Sequence, residues 1–279
     1  MDGGAVPGAV QMGEGVKQRE VYISFTSIPA RLPHILDVVR HHCRLAVRHN
    51  LSGVCLALQE DAVPHMPEGI REMAWAGDVE LLTAPKDHGS NTKWTLARKA
   101  HPDATLIVVD DDRAYPDSMV ADLLGWSWTF PGRILCRALR MLAPVGKGEQ
   151  IRYSLAKGSP DRARLFTSLN VQGGPQPVNP RTAVLEHWAG MLYPPGFPDA
   201  DPAEAAEKAP HDDDVFVTAM ASRSKTGAEL VPTSDGMLYT RDFSKENMAI
   251  AESALGYDNR LRGWSRTQDA LNRLREDFF

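Results

Sequence analysis

Cysteine is scarce in this 279-residue sequence, which contains only Cys43, Cys55 and Cys136. The three are widely spaced and include no CxxC pair, so they predict neither a disulfide framework nor a zinc site. We interpret them as small buried residues of a protein in a reducing compartment.

Long hydrophobic runs and an excess of positive charge are also missing. No apolar run approaches the ~20 residues that cross a bilayer, and the N-terminus lacks the hydrophobic region of a signal peptide. We therefore expect a cytoplasmic protein, for which peripheral association with a membrane stays open. The formal net charge is -5 and no basic stripe follows the chain, so we expect no nucleic-acid partner.

The remaining composition is typical of a soluble globular domain. Hydrophobic residues make up 43% of the chain and charged residues 24%, which is ordinary for this class. Residues 1–19 are rich in glycine and small residues without periodicity, and they predict a disordered leader. Residues 20–279 show no internal repeat and no convincing break, so we assign them to a single domain.

Apolar runs alternate with amphipathic stretches in that domain. Five runs typical of buried strands alternate with helical patterns between residues 21 and 139, which predicts parallel βαβ units. The expected fold class is α/β, with a Rossmann-like, mostly parallel central sheet flanked by helices. Residues 146–180 predict an irregular insertion over the site, and residues 242–255 and 265–278 predict two further helices.

The most informative stretch is an apolar run at residues 105–109 that ends in three aspartates. Because the run has no polar face, it suits a strand buried on both sides of a sheet, and ligands of open α/β sheets bind just beyond such strand ends. Asp110 and Asp112 are separated by one residue, so their carboxylates can point the same way and share a hard cation. A solvated acidic turn that caps the next element is the alternative.

Three further stretches place polar residues near the starts of predicted helices. The hydroxyls and arginine of Thr26 to Arg31 suit a phosphate or a ribose, and they suit an ordinary capped turn equally well. Lys93 lies in a first helical turn, where the dipole disfavours a cation, so we expect either solvent exposure or pairing with a bound anion. The three acids after His211 exceed the needs of capping and form a second acidic cluster.

The segment at residues 186–197 mixes aromatic residues, glycine and a Pro-Pro turn. Aromatic and glycine surfaces fit the apolar face of a sugar ring, so the segment is a candidate sugar platform. A core loop with buried aromatic side chains is the alternative.

In this order the stretches resemble the nucleotide-sugar-dependent glycosyltransferases of the GT-A fold. The match starts with a strand that ends Thr-Ser-x-x-x-Arg and continues through Gly-x-x-Thr-Lys and Asp-x-Asp. It ends with an aromatic, glycine-rich acceptor segment and an acidic pair that opens a helix. In particular the chain looks like bacterial polysaccharide glycosyltransferases with a DDD motif, a YPPG turn and a late DDV motif, roughly over residues 21–220.

The resemblance implies a donor site. It places Asp110 and Asp112 on a Mn²⁺ or Mg²⁺ ion and the donor diphosphate, and it places Asp111 near the donor ribose or sugar. The other donor-binding positions that it implies are Thr26, Arg31 and Lys93.

The resemblance also implies an acceptor site and a general base. The acceptor-binding candidates are Trp188, Gly190 and Tyr193. Asp213 and Asp214 match the acidic pair in which inverting members of the family place the base, and we favour Asp213 slightly.

One departure from the family concerns the metal. Many GT-A enzymes supply a further metal ligand, often a histidine, near the C-terminus, whereas no histidine follows His211 here. Either His211 or another group fills this role, or the aspartates, the diphosphate and water hold the metal.

The implied activity is metal-dependent transfer of a sugar from a nucleoside diphosphate, expected to be UDP, to a glycan or lipid-linked acceptor, with inversion. Two alternatives stay open. One is a nucleotidyltransferase or phosphohydrolase that uses the same aspartates, and the other is a non-catalytic sugar-binding module. The second acidic cluster argues against pure binding, which has no need of it.

Overall fold

The computed structural model of the protein describes residues 19–86, 88–141, 174–210, 212–237, 239–243, 269–271 and 273–274. The predicted leader lies outside this part of the chain apart from its last residue. Most of the predicted insertion and nearly all of the two predicted C-terminal helices lie outside it as well, and so does His211.

Eight strands of the described chain form one sheet, in the order β3-β2-β1-β4-β10-β6-β11-β8. Two small two-stranded sheets, β12-β5 and β7-β9, flank it. The strands are β1 (Val21–Thr26), β2 (Gly53–Gln59), β3 (Glu80–Ala84), β4 (Thr105–Val108), β5 (Arg113–Ala114), β6 (Ile134–Cys136), β7 (Leu139–Met141), β8 (Gln176–Val178), β9 (Ala183–Leu185), β10 (Met191–Tyr193), β11 (Ala228–Leu230) and β12 (Arg241–Asp242).

Six of the eight strands in the main sheet run in the same direction. β1 pairs in parallel with β2 and β4, β2 with β3, and β6 with β11. β10 is antiparallel to both of its neighbours, β4 and β6, and β8 is antiparallel to β11. The prediction of a mostly parallel sheet is therefore confirmed.

Helices cover both faces of the sheet. They are α1 (Leu36–Arg48), α2 (Glu68–Ala76), α3 (Thr92–Ala100), α4 (Asp117–Thr129), α5 (Pro202–Lys208) and α6 (Asp213–Arg223). Local signals set some of their ends: α2 stops at Gly77, which adopts a left-handed φ of 83°, and Asp201 caps α5 by accepting from the Ala203 amide. No helix in the described ranges is long and apolar enough to span a membrane.

The side chains of β4 alternate between two apolar clusters. Leu106 and Val108 pack in the cluster that contains residues of α3 and α6, whereas Ile107 and Val109 pack in the cluster of α1, α2 and α4. A strand that is covered on both faces needs apolar side chains on both, which is why its sequence is a continuous apolar run. The prediction that residues 105–109 form a doubly buried strand is confirmed.

The strand predicted from Arg133 to Leu139 is instead two strands, β6 and β7. The break falls at Arg137, which is fully buried. Its guanidinium donates to the carbonyl of Met237 at 2.6 Å and lies 3.4 Å from that of Ala189. A buried guanidinium has to find carbonyl acceptors, and those partners lie outside the ladder of β6.

Candidate active site

Residues from four separate stretches meet where the parallel strands end. β1 and β4 are neighbours, so the residues that follow them lie side by side. The first turn of α3 and the first turn of α6 reach the same place, because Lys93 contacts both Asp110 and Asp213. The two acidic clusters, about a hundred residues apart in sequence, therefore belong to one site.

Lys93 is the centre of this site. Its side chain is buried, and its Nζ lies 2.7 Å from Asp110 Oδ1 and 2.7 Å from Asp213 Oδ2. Burial alone lowers the pKa of an ammonium group, but the surrounding carboxylates outweigh burial and raise the pKa of Lys93 above its usual value. Lys93 is thus neither exposed nor dependent on an external anion, because its partners are two carboxylates of the chain itself.

The loop before α3 is held against the segment that leads into α6. Gly89 has a φ of 59°, and a Cβ atom there would lie 1.5 Å from the carbonyl oxygen of Pro210. The Asn91 amide donates to the Ala209 carbonyl at 2.8 Å, and the Asp213 amide donates to Ser90 Oγ at 3.2 Å. The glycine is required by this close approach, and Asn91, which the sequence suggests as a helix cap, makes no capping hydrogen bond.

Asp111 is tied to the end of β1. It forms an ion pair with Arg31 and accepts a hydrogen bond from Ser27 Oγ at 2.6 Å. The predicted donor contact Arg31 therefore lies at the site, with its charge neutralised by the aspartate. The Thr26 hydroxyl donates to the Ala57 carbonyl at 2.7 Å. Its proton is therefore used in a hydrogen bond to the neighbouring strand.

Asp112 carries a buried oxygen that lacks a donor. Its Oδ1 has no hydrogen-bond partner among the described residues, and the nearest cation is Arg113, with Nε 3.7 Å away. Burial, together with the charge of Asp110, raises the pKa of Asp112 to about 6. A buried carboxylate oxygen without a hydrogen-bond donor, next to a second carboxylate, suits a hard divalent cation, so Asp110 and Asp112 fit the predicted Mn²⁺ or Mg²⁺.

The structure adds one residue that the sequence did not single out, His187. Its Nδ1 lies 2.9 Å from Asp213 Oδ2 and 2.5 Å from Asp214 Oδ1, and its backbone amide also donates to Asp214 Oδ1 at 2.9 Å. Its Nε2 contacts the Tyr193 hydroxyl. Burial opposes the charged form, but the Asp213 carboxylate outweighs it, and the pKa of His187 rises to about 9.

The three acids that precede and open α6 have different surroundings. Asp212 caps the helix by accepting from the Val215 amide at 3.2 Å. Asp213 is 10% exposed at its side chain; burial raises its pKa, but Lys93 and His187 outweigh this and hold the pKa of that carboxyl well below its usual range. Asp214 is 24% exposed and has His187 as its partner. The lowered pKa makes Asp213 a weak base, which does not favour our preference for it.

The two parts of the predicted acceptor segment lie at opposite ends of the strands of the sheet. Because β10 is antiparallel to β4, Met191 pairs with Val108 at the site, whereas Tyr193 pairs with Leu106, further from it. The following Pro-Pro turn lies at the opposite edge, where the Gly196 amide donates to Pro102 O at 3.1 Å. That turn is therefore not part of the site.

The three predicted acceptor residues differ in exposure. Tyr193 is fully buried, so it does not offer a surface to an acceptor. Gly190 is buried with a φ of 88°, and a Cβ there would lie 3.0 Å from the sulfur of Met119, so packing explains the glycine. Trp188 is half-buried, and its ring lies 5.6 Å from the guanidinium of Arg113. Of the three, Trp188 is the most exposed.

Two compact groups of potential metal ligands occur in the described part of the chain. One is His187, Asp213 and Asp214, and the other is Cys55, Glu80 and His101. Neither group contains Asp110 or Asp112. The predicted ligand His211 lies outside the described residues, so its role stays a prediction.

No family model matches the chain, and no curated protein matches it. Among solved structures, the crystal structure of 4-diphosphocytidyl-2C-methyl-D-erythritol synthase is similar over 85% of this chain and 99% of that chain, with 12% sequence identity and a TM-score of 0.45. A similarity at this level carries no argument about activity, which has to come from the site.

Replacing Lys93 with methionine is expected to lower the free energy of unfolding by about 3–5 kcal/mol, because two buried carboxylates lose their counter-charge. Urea denaturation measures the loss. Lys99→Met, at an exposed position in the same helix, is the control and should change little. The double variant Lys93→Met/Asp213→Asn should recover part of the loss, and a Lys93→Met protein as stable as the control would contradict the ion-pair assignment.

The stability contribution of His187 is expected to depend on pH. Its folded pKa of about 9 lies above the unfolded value of ~6.5, so the contribution is fully present below ~6.5 and is lost as the pH rises through about 9. The difference in unfolding free energy between the wild type and His187→Gln should therefore shrink between about pH 6 and about pH 9.5. Replacement of the exposed His34 with glutamine is the control for the loss of a histidine as such, and a constant difference for His187→Gln would contradict a charged His187.

Proposed function

We propose that the chain is a metal-dependent glycosyltransferase that transfers a sugar from a nucleoside diphosphate, expected to be UDP, to a hydroxyl of a glycan or lipid-linked acceptor, with inversion. The observation that carries the proposal is the buried Lys93, which joins a carboxylate that follows β4 to a carboxylate that opens α6. Inverting transfer needs two acidic poles a short distance apart, one for the leaving diphosphate and one for the attacking hydroxyl.

Asp110 and Asp112 form the donor pole. Both lie within four residues of the end of β4, and Asp112 Oδ1 is a buried anionic oxygen without a hydrogen-bond donor. These two carboxylates would hold Mn²⁺ or Mg²⁺, and the bound ion would supply positive charge for the leaving diphosphate. Arg31 and Ser27 fix the neighbouring Asp111, which keeps the backbone of this acidic loop in place while substrate binds.

The acceptor pole is Asp213 and Asp214, and we place the base at Asp214. The Asp214 carboxylate takes the proton of the acceptor hydroxyl, the hydroxyl oxygen bonds to the anomeric carbon, and the bond from that carbon to the diphosphate breaks. A base has to reach the acceptor and has to be protonated in the reaction. Asp214 is more exposed than Asp213 and is not in contact with Lys93, so it meets both conditions better.

Lys93 and His187 act as positioning residues. Asp110 and Asp213 are both negative, and without the ammonium between them they would repel each other. His187 contacts both acids of the acceptor pole through Nδ1, which fixes the orientation of Asp214. The two cations thus hold the donor and acceptor poles at a constant separation.

Trp188 is our candidate for acceptor contact. It lies beside His187, at the beginning of the segment that reaches the site, and its indole nitrogen donates to Glu186 Oε2 at 2.8 Å. That hydrogen bond fixes the ring. A fixed aromatic plane near the base would orient the apolar face of an acceptor sugar.

Product analysis tests the reaction class. The protein is incubated with a panel of nucleoside diphosphate sugars and Mn²⁺, and the products are separated. Release of the nucleoside diphosphate with transfer of the sugar to acceptor or water supports the proposal. Release of a nucleoside monophosphate with a sugar phosphate would indicate phosphoryl or nucleotidyl chemistry instead, and binding without any product would indicate a sugar-binding module.

Asp112→Asn is expected to stabilise the metal-free protein and to abolish metal-dependent binding. Because the folded pKa of about 6 exceeds the ordinary ~3.9, the ionised wild-type carboxyl destabilises the fold above about pH 6, and that penalty disappears below pH ~4. At about pH 8 the variant should gain about 1–3 kcal/mol, measured by denaturation without divalent ions. Manganese with UDP should then stabilise the wild type and not the variant.

The control for that experiment is Asp103→Asn, which removes an exposed carboxyl near the other end of β4. It should keep both the stability and the manganese-dependent UDP binding of the wild type. If Asp112→Asn bound UDP with manganese as tightly as the wild type does, the metal assignment would be wrong.

Asp214→Asn is expected to reduce turnover by about 10²–10⁴-fold with UDP binding intact, which is the usual contribution of a general base. UDP release from a sugar donor gives the turnover, and calorimetry gives the binding. The neighbouring Asp212→Asn is the matched control, because asparagine still accepts from the Val215 amide and caps the helix, so both stability and turnover should stay near those of the wild type. Near-normal turnover in Asp214→Asn, or a product that keeps the anomeric configuration of the donor, would each contradict the mechanism.

A further inference from the structure

Three side chains that can bind a soft metal lie together at the edge of the sheet opposite to the candidate active site. Cys55 Sγ lies 3.7 Å from Glu80 Oε2, and His101 Nε2 lies 2.7 Å from the same oxygen. All three atoms lie within 4.8 Å of one another. None of these residues contacts the acidic clusters in the hydrogen bonds and ion pairs described above.

The fold positions all three groups. Cys55 and Glu80 are register partners in the parallel strands β2 and β3, and Glu80 is the first residue of β3, at the amino-terminal end of the sheet. His101 follows the last residue of α3. Its ring stacks on Tyr22, with centroids 3.8 Å apart and an interplanar angle of 16°. Two strands and a stacked ring therefore fix the ligand atoms before any ion arrives.

We propose that Cys55, Glu80 and His101 form a second metal site, which binds Zn²⁺ or another borderline-soft divalent cation with water in the fourth position. Thiolate, imidazole and carboxylate are the ligand types that zinc takes. Tetrahedral zinc with bond lengths of about 2.0–2.3 Å places its ligand atoms about 3.5 Å apart. The sulfur–oxygen distance of 3.7 Å is close to this value, whereas the distance of 2.7 Å between His101 Nε2 and Glu80 Oε2 would have to widen when the ion binds. Mg²⁺ and Mn²⁺ prefer oxygen ligands, so this site and the acidic site select different ions.

The chemistry of binding predicts a dependence on pH. Burial and the negative charge of Glu80 raise the pKa of the Cys55 thiol. When the metal binds, the thiol proton leaves to solvent and the sulfur lone pair bonds to the ion, so affinity rises with pH. Glu80 is largely exposed, which gives the ion and its water ligand a path to the otherwise buried sulfur.

Cobalt replaces zinc as the probe, because a thiolate bound to Co²⁺ gives an ultraviolet charge-transfer band and tetrahedral Co²⁺ gives intense visible bands. The full chain is titrated with Co²⁺ in the presence of excess Mn²⁺, which occupies hard oxygen sites. The wild type should show the charge-transfer band at one Co²⁺ per chain, and Zn²⁺ should abolish it. Zn²⁺ should also raise the melting temperature of the wild type.

The variants separate a metal site from a hydrogen-bonded cluster. Cys55→Ser should lose the charge-transfer band, and His101→Gln, at a mostly buried position, should weaken cobalt binding by about 10-fold or more. Cys43→Ser and Cys136→Ser remove the other cysteines and should leave the band unchanged. Circular dichroism checks that each variant is folded.

The proposal is overturned if the wild type shows no thiolate band, or if the band survives in Cys55→Ser. It is also overturned if His101→Gln, folded and with its thiol intact, binds cobalt as tightly as the wild type. These outcomes would make the three residues a hydrogen-bonded polar cluster only. They do not depend on sugar transfer, so the proposed function can fail or succeed independently.

Discussion

A single buried ammonium group makes the candidate site possible. Two acidic segments that lie at the same end of the strands repel each other, and burial makes this repulsion stronger. Lys93 lies between them, within 2.7 Å of a carboxylate from each, so the loop after β4 and the start of α6 can be neighbours without a bound ion. His187 extends the same arrangement to Asp214. The charges of the site are therefore largely balanced by the chain itself, and Asp112 is the least well compensated, since its cationic neighbour Arg113 lies 3.7 Å away.

Asp112 therefore differs from the other aspartates of the site. Asp110, Asp111 and Asp213 each have a cationic partner in direct contact. Asp112 Oδ1 has no hydrogen-bond donor among the described residues, and its pKa is raised to about 6. Buried carboxylates with a raised pKa and no hydrogen-bond donor are typical of functional sites. The missing hydrogen-bond donor, rather than the acidity of the run, distinguishes Asp112 from its neighbours.

Much of the fold could be predicted from the sequence, because its signals are local. The apolar run before the aspartates, for example, needs only its own residues to indicate a doubly buried strand. The partners within the site could not be predicted, since Lys93 and Asp213 are 120 positions apart and no periodicity links them. His187 gave no signal for the same reason. The burial of Tyr193 and the break at Arg137 depend on tertiary contacts, which override what short segments indicate.

The reversed direction of β10 has a consequence for how this protein could change. Parallel strands present the residues that follow them to the site, whereas β10 presents the residues that precede it, and the Pro-Pro turn after it lies at the far edge beside Pro102. The two flanks of one three-residue strand are thus under unrelated constraints. Variation in length or sequence before Met191 would change residues next to the candidate site, whereas variation after Tyr193 would act on folding at the other end of the strands.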